Sequence, residues 1–131
     1  MSDNNPSLHS QISWVYTDDL ESTARFYREQ LGLECLRDEG SARIFATAAG
    51  AGIGVCQVFA ERVVEPAGGM ISIVTDDVDG WDRRLIDNGV DIDHPPRRLE
   101  QFGVYSFFVR DPNGYPIEFQ SFDEEPWVGP G

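Results

Sequence analysis

Lysine is missing altogether: in 131 residues, all ten basic side chains are arginine, set against 23 acidic ones for a formal net charge of −13. Schiff-base catalysis by a side-chain amine is therefore excluded. So little positive charge makes nucleic acid a poor partner. The acidity has two readings, a soluble surface or the steering of a cationic ligand into an acidic cleft. Cysteine is scarce too. Cys35 and Cys56, both in strand-like segments, read as free thiols of a cytosolic chain rather than a disulfide or a zinc site. His9 and His94 are the only imidazoles, which leaves a nucleophilic cysteine little choice of base. No apolar run approaches the roughly 20 residues of a membrane helix, and the start Met1-Ser2-Asp3-Asn4-Asn5-Pro6 lacks a basic patch ahead of an apolar stretch. A soluble, cytoplasmic single domain spanning residues 1–131 is expected.

What is present is an internal echo. Trp14-Val15-Tyr16-Thr17-Asp18-Asp19-Leu20 returns as Ser72-Ile73-Val74-Thr75-Asp76-Asp77-Val78, with the Thr-Asp-Asp triplets 75 − 17 = 58 residues apart. Each copy reads as a strand running into a helix. The aspartates supply N-cap oxygens and favourable charge at the helix start, and Asp18 with Glu21 has capping-box spacing. Leu20, Thr23, Ala24, Tyr27 and Leu31 form the first helical stripe; Val78, Trp81, Leu85 and, at its margin, Ile86 form the second. Gly32 and Gly89 end the two helices. Three strand-like segments follow each helix, at about 33–38, 42–48 and 53–60 and then 90–93, 103–110 and 115–122. The chain thus reads βαβββ twice, with module one at about 10–60, a Pro/Gly linker at 61–69, module two at about 70–122 and a tail at 123–131 that carries Trp127. The Gly50-Ala51-Gly52-Ile53-Gly54 run has no helix after it, so it reads as a hairpin turn rather than a phosphate loop.

The last regular segment, Phe107-Phe108-Val109-Arg110-Asp111-Pro112-Asn113-Gly114-Tyr115-Pro116-Ile117-Glu118-Phe119, is a hairpin with one acid in its second arm. Asp111 hydrogen-bonds its own backbone two residues on, Pro112 sets a turn φ, and Gly114 takes the left-handed conformation. Alternation puts Glu118 on the face opposite Ile117 and Phe119. There it either bonds a backbone group or an arginine, or it serves a ligand as cation anchor or general base.

The paired modules, the Val15-Tyr16-Thr17-Asp18-Asp19-Leu20 and Ala24-Arg25-Phe26-Tyr27-Arg28-Glu29-Gln30-Leu31-Gly32-Leu33 segments and the closing Asp111–Glu118 hairpin resemble the vicinal oxygen chelate superfamily over residues 10–122. That superfamily includes glyoxalase I, extradiol dioxygenases, and fosfomycin- and bleomycin-resistance proteins. The resemblance implies an α+β fold in which two βαβββ modules form a concave mixed sheet with one helix per module on the outer face. It also implies a homodimer. Metal ligands of the superfamily would fall at Ile12, at about Val55 with Gln57 as a neighbour, at Met70 and at Glu118. Three of these four positions are apolar, and a divalent ion needs several donors. His9 is directed to the other face and His94 lies in a proline loop, so no metal and no cofactor is expected.

What remains is an apolar and aromatic wall around one acid. Ile12, Trp14 and Tyr16 share a strand face, as do Met70, Ser72 and Val74; Val55, Gln57, Tyr105 and Phe107 complete the expected ligand-binding set with Glu118. The bland alternative is that Trp14 and Tyr16 only fill space between modules. The expected function is a metal-independent small-molecule-binding protein of the bleomycin-resistance type, sequestering an aromatic or cationic organic ligand in an apolar cleft. The alternative is a metal-dependent glyoxalase- or dioxygenase-like lyase, isomerase or oxidoreductase in which Glu118 is catalytic. A third reading is a module whose cleft meets another protein.

Overall fold

The computed structural model describes residues 5–123. Eight strands and two α-helices follow one another as β1 (Gln11–Thr17), α1 (Leu20–Arg25), β2 (Cys35–Asp38), β3 (Ala42–Ala46), β4 (Ala51–Gln57), β5 (Ile71–Val74), α2 (Val78–Asp87), β6 (Arg97–Leu99), β7 (Val104–Arg110) and β8 (Pro116–Phe122). A π-helical turn, Phe26–Gln30, prolongs α1, and a short 3-10 turn, Pro66–Gly68, sits in the connection between the halves. The result is α+β: two βαβββ modules with matching sheets, ordered β1-β4-β3-β2 and β5-β8-β7-β6. In each, the first strand lies parallel to the fourth and the other pairs are antiparallel. Among the described residues no helix is long and apolar enough to cross a membrane.

Aspartates do start both helices, and in the first the cap is Asp19 and not the Asp18 of the capping-box spacing. Asp19 accepts from Ser22 N and Asp77 from Gly80 N. Glu21 is consequently free of capping duty and binds Arg43 Nη2 at 2.6 Å instead. The hydrogen bond from Arg43 holds the Glu21 carboxyl below its ordinary range. Gly32 and Gly89 close the helical segments at φ of 75° and 83°, values that favour glycine. Of the stripes, Thr23, Ala24, Tyr27, Leu31, Val78 and Leu85 are buried, Leu20 and Trp81 are partly buried against the core, and Ile86 is exposed.

One strand is misplaced by the pattern. Residues 90–93 form no ladder: Val90 N bonds back to Leu85 O, which closes the helix end and turns the Val90 side chain into the core. The sixth strand begins after Pro95-Pro96, at Arg97–Leu99, where the N–H groups required for pairing with β7 return.

The helix-covered faces of both sheets meet in one core. Val15, Phe45, Ile53 and Val55 from the first module share a buried cluster with Phe107, Ile117 and Phe119 from the second, together with Tyr27, Leu31, Val78 and Leu85. Phe119 stacks between Trp81 and Phe107, at centroid separations of 5.0 and 5.3 Å. A polar joint completes the seam. Tyr27 Oη donates to Asp111 Oδ2 at 2.9 Å, Thr17 Oγ1 donates to Asn113 Oδ1, and Asn113 Nδ2 donates to Thr23 Oγ1. Since Thr17 spends its proton on Asn113, Thr23 must donate across the 2.9 Å contact to Thr17. Burial pushes the Asp111 carboxyl above its ordinary value, and burial beside that acid pushes the Tyr27 phenol up as well.

One cavity is shared by the modules: about 640 Å³ of space is lined by Gln11, Ser13 and Ile53 of the first and by Ile71–Val74 of the second. With the helix-covered faces turned toward one core, each sheet keeps its own open face. The cavity along the first is lined by residues of the first module alone, and the cavity over the second by residues of the second alone.

Candidate functional site

Glu118 stands in the middle of β8, between Ser72 of β5 and Phe108 of β7 in the ladder. Pairing partners share a face, so the open side of the second sheet carries Ser72, Phe108, Glu118, Gln120, Ser106, Val104 and Phe122. The hairpin that places the acid folds as its residues dictate. Asp111 Oδ1 accepts from Asn113 N and Tyr115 N, Asp111 O accepts from Gly114 N, and Gly114 has φ of 94°.

A cavity of about 390 Å³ lies over this face. Met70, Leu99, Phe102, Val104, Phe108 and Phe122 wall it, and Ser72, Glu118 and Gln120 form its polar floor. Glu118 is only 4% exposed. Its Oε1 accepts from Ser72 Oγ at 2.7 Å and from Gln120 Nε2 at 2.8 Å. Neither a backbone group nor an arginine takes up Glu118 among the described residues, contrary to the bland alternative for this acid.

Of the expected wall, Met70, Ser72 and Glu118 converge here. Val74, though on the same strand face, contributes to other cavities. Four expected site residues lie on the wrong side. Tyr105 reaches back to α2, donating to Asp79 Oδ1 at 2.6 Å, and Phe107 is fully buried against Phe119. Val55 pairs with Val15 and is fully buried in the core. Gln57 caps α1: its Oε1 accepts from Leu20 N, and its Nε2 donates to Asp18 O. All four shift for one reason, that a single-residue change of parity exchanges the faces of a strand. Phe108, Gln120, Val104 and Phe102 were missed. For Gln120 the signal is in the sequence, two positions from Glu118 on the same strand face, whereas Phe108 is set by its ladder pairing with Glu118.

Ile12, Trp14 and Tyr16 do share the open face of the first sheet, where they lie across from Gly52, Gly54 and Cys56. Ladder position makes Trp14 and Gly54 the counterparts of Ser72 and Glu118, so the fourth family position is Gly54 and not Val55. A Cβ on Gly54 would run into the Trp14 ring, which lies over it. Trp14 thus covers its own strand partner and fills no gap between modules.

The donors at the four metal positions are then Glu118 alone, beside Ile12, Met70 and Gly54. Among the described residues no three His, Cys, Asp or Glu side chains come together as a metal site. His9 contacts Ser10 and His94 contacts the Pro95 carbonyl, both away from the acid. This set does not fit a resident divalent ion. Cys35 and Cys56 are free thiols.

The sequence profile of the Glyoxalase/Bleomycin resistance protein/Dioxygenase superfamily matches residues 9–119. The chain belongs to that superfamily. Among solved structures, a glyoxalase/bleomycin resistance protein/dioxygenase from Nocardioides superposes with a TM-score of 0.71 at 16% identity, covering 97% of this chain and 91% of that one. TioX from Micromonospora sp. ML1 gives 0.70 at 21% identity, with coverages of 86% and 97%. An integron cassette protein from V. cholerae gives 0.69 at 22%, with coverages of 90% and 98%. Identities this low establish a common fold. No curated protein sequence matches the chain. At the four positions where the resemblance leads one to expect metal ligands, this chain has Ile12, Gly54, Met70 and Glu118.

Proposed function

We propose that the protein binds a small organic molecule in the cavity over β5–β8 and sequesters it without a metal, with Glu118 as the polar anchor. One observation carries this reading: a nearly buried carboxylate, held from below through one oxygen, at the floor of a cavity walled by Met70, Leu99, Phe102, Phe108 and Phe122. Apolar walls with one placed polar group suit an organic ligand. The superfamily is named in part for bleomycin resistance, which is in keeping with a binding role.

On this reading the protein works as a cytoplasmic homodimer. Two free thiols fit a reducing compartment. β1 and β5 are each the end strand of a sheet, and Ile12, Trp14 and Val74 on them are exposed, which a second copy would bury.

The test is thermal shift against a panel of apolar and cationic compounds, run on the wild type and on Met70→Trp, which fills the cavity from a half-exposed position. Compounds that raise the melting temperature of the wild type and not of the variant bind where proposed. A stoichiometric divalent ion that survives chelator dialysis, or a panel that shifts both proteins equally, would overturn the reading.

A further inference from the structure

The stretch before β6 that forms no ladder leaves part of β7 without a neighbour. Asp111 N bonds Tyr115 O, so the backbone groups of residues 107, 109 and 111 point toward β8, and those of Phe108 and Arg110 point the other way, to the side of β6. β6 reaches only Val104, Tyr105 and Ser106, and Pro95-Pro96 stop it where the ladder would continue. The N–H and C=O groups of Phe108 and Arg110 therefore have no hydrogen-bond partner among the described residues. A cavity of about 410 Å³ opens at this free edge, bordered by Phe26 and Gln30 of the first module and by Val90, Asp91 and Asp93 of the second.

Charge of both signs surrounds the cavity without cancelling. Arg110 Nη1 donates to Gly114 O at 2.9 Å, and the guanidinium makes no ion pair among the described residues. Asp91 and Asp93 are exposed and have neither an ion pair nor a hydrogen bond there. Asp111 also lines the space, but its oxygens are taken by Tyr27 and by the turn. An open strand edge with unpaired donors and acceptors is a template for an added strand. The charges beside it suit the two ends of a short chain.

We propose that this slot binds a zwitterionic peptide of about three residues as an added strand on β7. Partners of Phe108 and Arg110 must themselves lie two positions apart, and three residues at about 3.3 Å each span that stretch. The peptide backbone pairs with the free groups of Phe108 and Arg110, its carboxylate reaches the Arg110 guanidinium, and its ammonium reaches Asp91 or Asp93. Phe26, Val90 and Pro116 in the lining favour an apolar side chain between the ends. The site is separate from the Glu118 cavity and stands or falls without it. A free amino acid brings both charges and no peptide group. A peptide blocked at both ends brings the peptide groups and no charge.

Hydrogen exchange followed by NMR on the full chain, with Ala-Leu-Ala in excess, tests the pairing. Without peptide, the Phe108 and Arg110 amides should exchange faster than that of Val109, which points to β8. With peptide, those two amides should slow about tenfold or more as they become paired. Leucine should leave them unprotected. In calorimetric titration, acetylated and amidated Ala-Leu-Ala should bind about fivefold or more weaker than the free peptide, the scale of two exposed ion pairs. Asp91→Asn combined with Asp93→Asn should weaken the free peptide about twofold to fivefold. Met70→Trp, which fills the Glu118 cavity, should not change its affinity. The proposal is overturned if the Phe108 and Arg110 amides are as protected as Val109 in the free chain, or if the peptide leaves their exchange unchanged. It is overturned equally if leucine protects them as well as the peptide does, if the blocked peptide binds as tightly, or if Met70→Trp abolishes binding.

Discussion

In the second module, the middle of the open face holds Ser72 beside Glu118; in the first, the same two ladder positions hold Trp14 beside Gly54. The strands, their order and their pairing are alike, so the difference comes from side chains alone. Where the fourth strand supplies a glutamate, the first strand offers a small hydroxyl that donates to it, and a cavity remains above both. Where the fourth strand supplies glycine, the absent Cβ leaves a flat patch of backbone, and the indole of Trp14 lies across it. The shared plan provides a slot, and one residue on the fourth strand decides whether the slot is a polar floor or an aromatic plate.

The largest effect is expected from installing the acid in the first module. Gly54→Glu forces a Cβ into the Trp14 ring and buries a carboxylate with no Ser72 or Gln120 equivalent to donate to it. Overpacking together with an unpaired buried charge should cost about 3–5 kcal/mol in urea unfolding. Adding Trp14→Ser clears the space and supplies the hydroxyl. The double variant should recover at least about 1 kcal/mol relative to the sum of the single effects. Strict additivity would show that the two pairs are not equivalent positions.

A smaller effect is expected where the modules join. Tyr27→Phe removes the phenol that donates to Asp111 and leaves one oxygen of a 4% exposed carboxylate unserved. The expected loss is about 1–3 kcal/mol. Its pH dependence follows from the direction of the Asp111 shift. Burial raises the folded carboxyl above its unfolded value, while the bonds from Tyr27, Tyr115 and Asn113 pull it back. A raised folded value favours the folded protein below the unfolded value, and that benefit is lost as pH rises through the folded one. Without Tyr27 the folded value climbs further. The deficit of the variant relative to wild type should therefore grow between pH 4 and pH 7 in urea melts, and a constant deficit would show that Asp111 is not the group exposed to the change.

How far these arrangements can be read from the residues depends on contrast between strand faces. Glu118 between Ile117 and Phe119 is unambiguous, because only one of the three is charged. The repeat, both helix stripes and the glycine ends are legible for the same reason. In β7 the contrast disappears: Val104, Ser106 and Phe108 are scarcely more polar than Tyr105, Phe107 and Val109, so alternation does not tell which set faces the helix. In β4 the open face is written in Gly52 and Gly54, residues that carry no side chain to mark it, and the apolar Val55 takes their place in the pattern. Val90 and Ile92 alternate as a strand would, yet the helix end they belong to needs Val90 in the core. Only the ladder partners separate these cases, and partners are a property of the folded chain.

The gentlest test uses one exposed apolar residue at the rim of each open face. Phe102 is 66% exposed beside the second cavity and Leu36 is 59% exposed beside the first. Neither Phe102→Ala nor Leu36→Ala should change stability by more than about 0.5 kcal/mol, since little is buried in either case. Their effects on binding should part company. Phe102 lines the proposed binding cavity, so in calorimetric titration its loss should weaken the compounds that stabilise the wild type about threefold to tenfold, the scale of a modest apolar contact at 25 cal/mol per Å². Leu36→Ala should leave the titration unchanged. Equal loss from both variants would mean that the two faces serve the ligand together, and the division drawn between acid floor and aromatic plate would then describe two halves of one site.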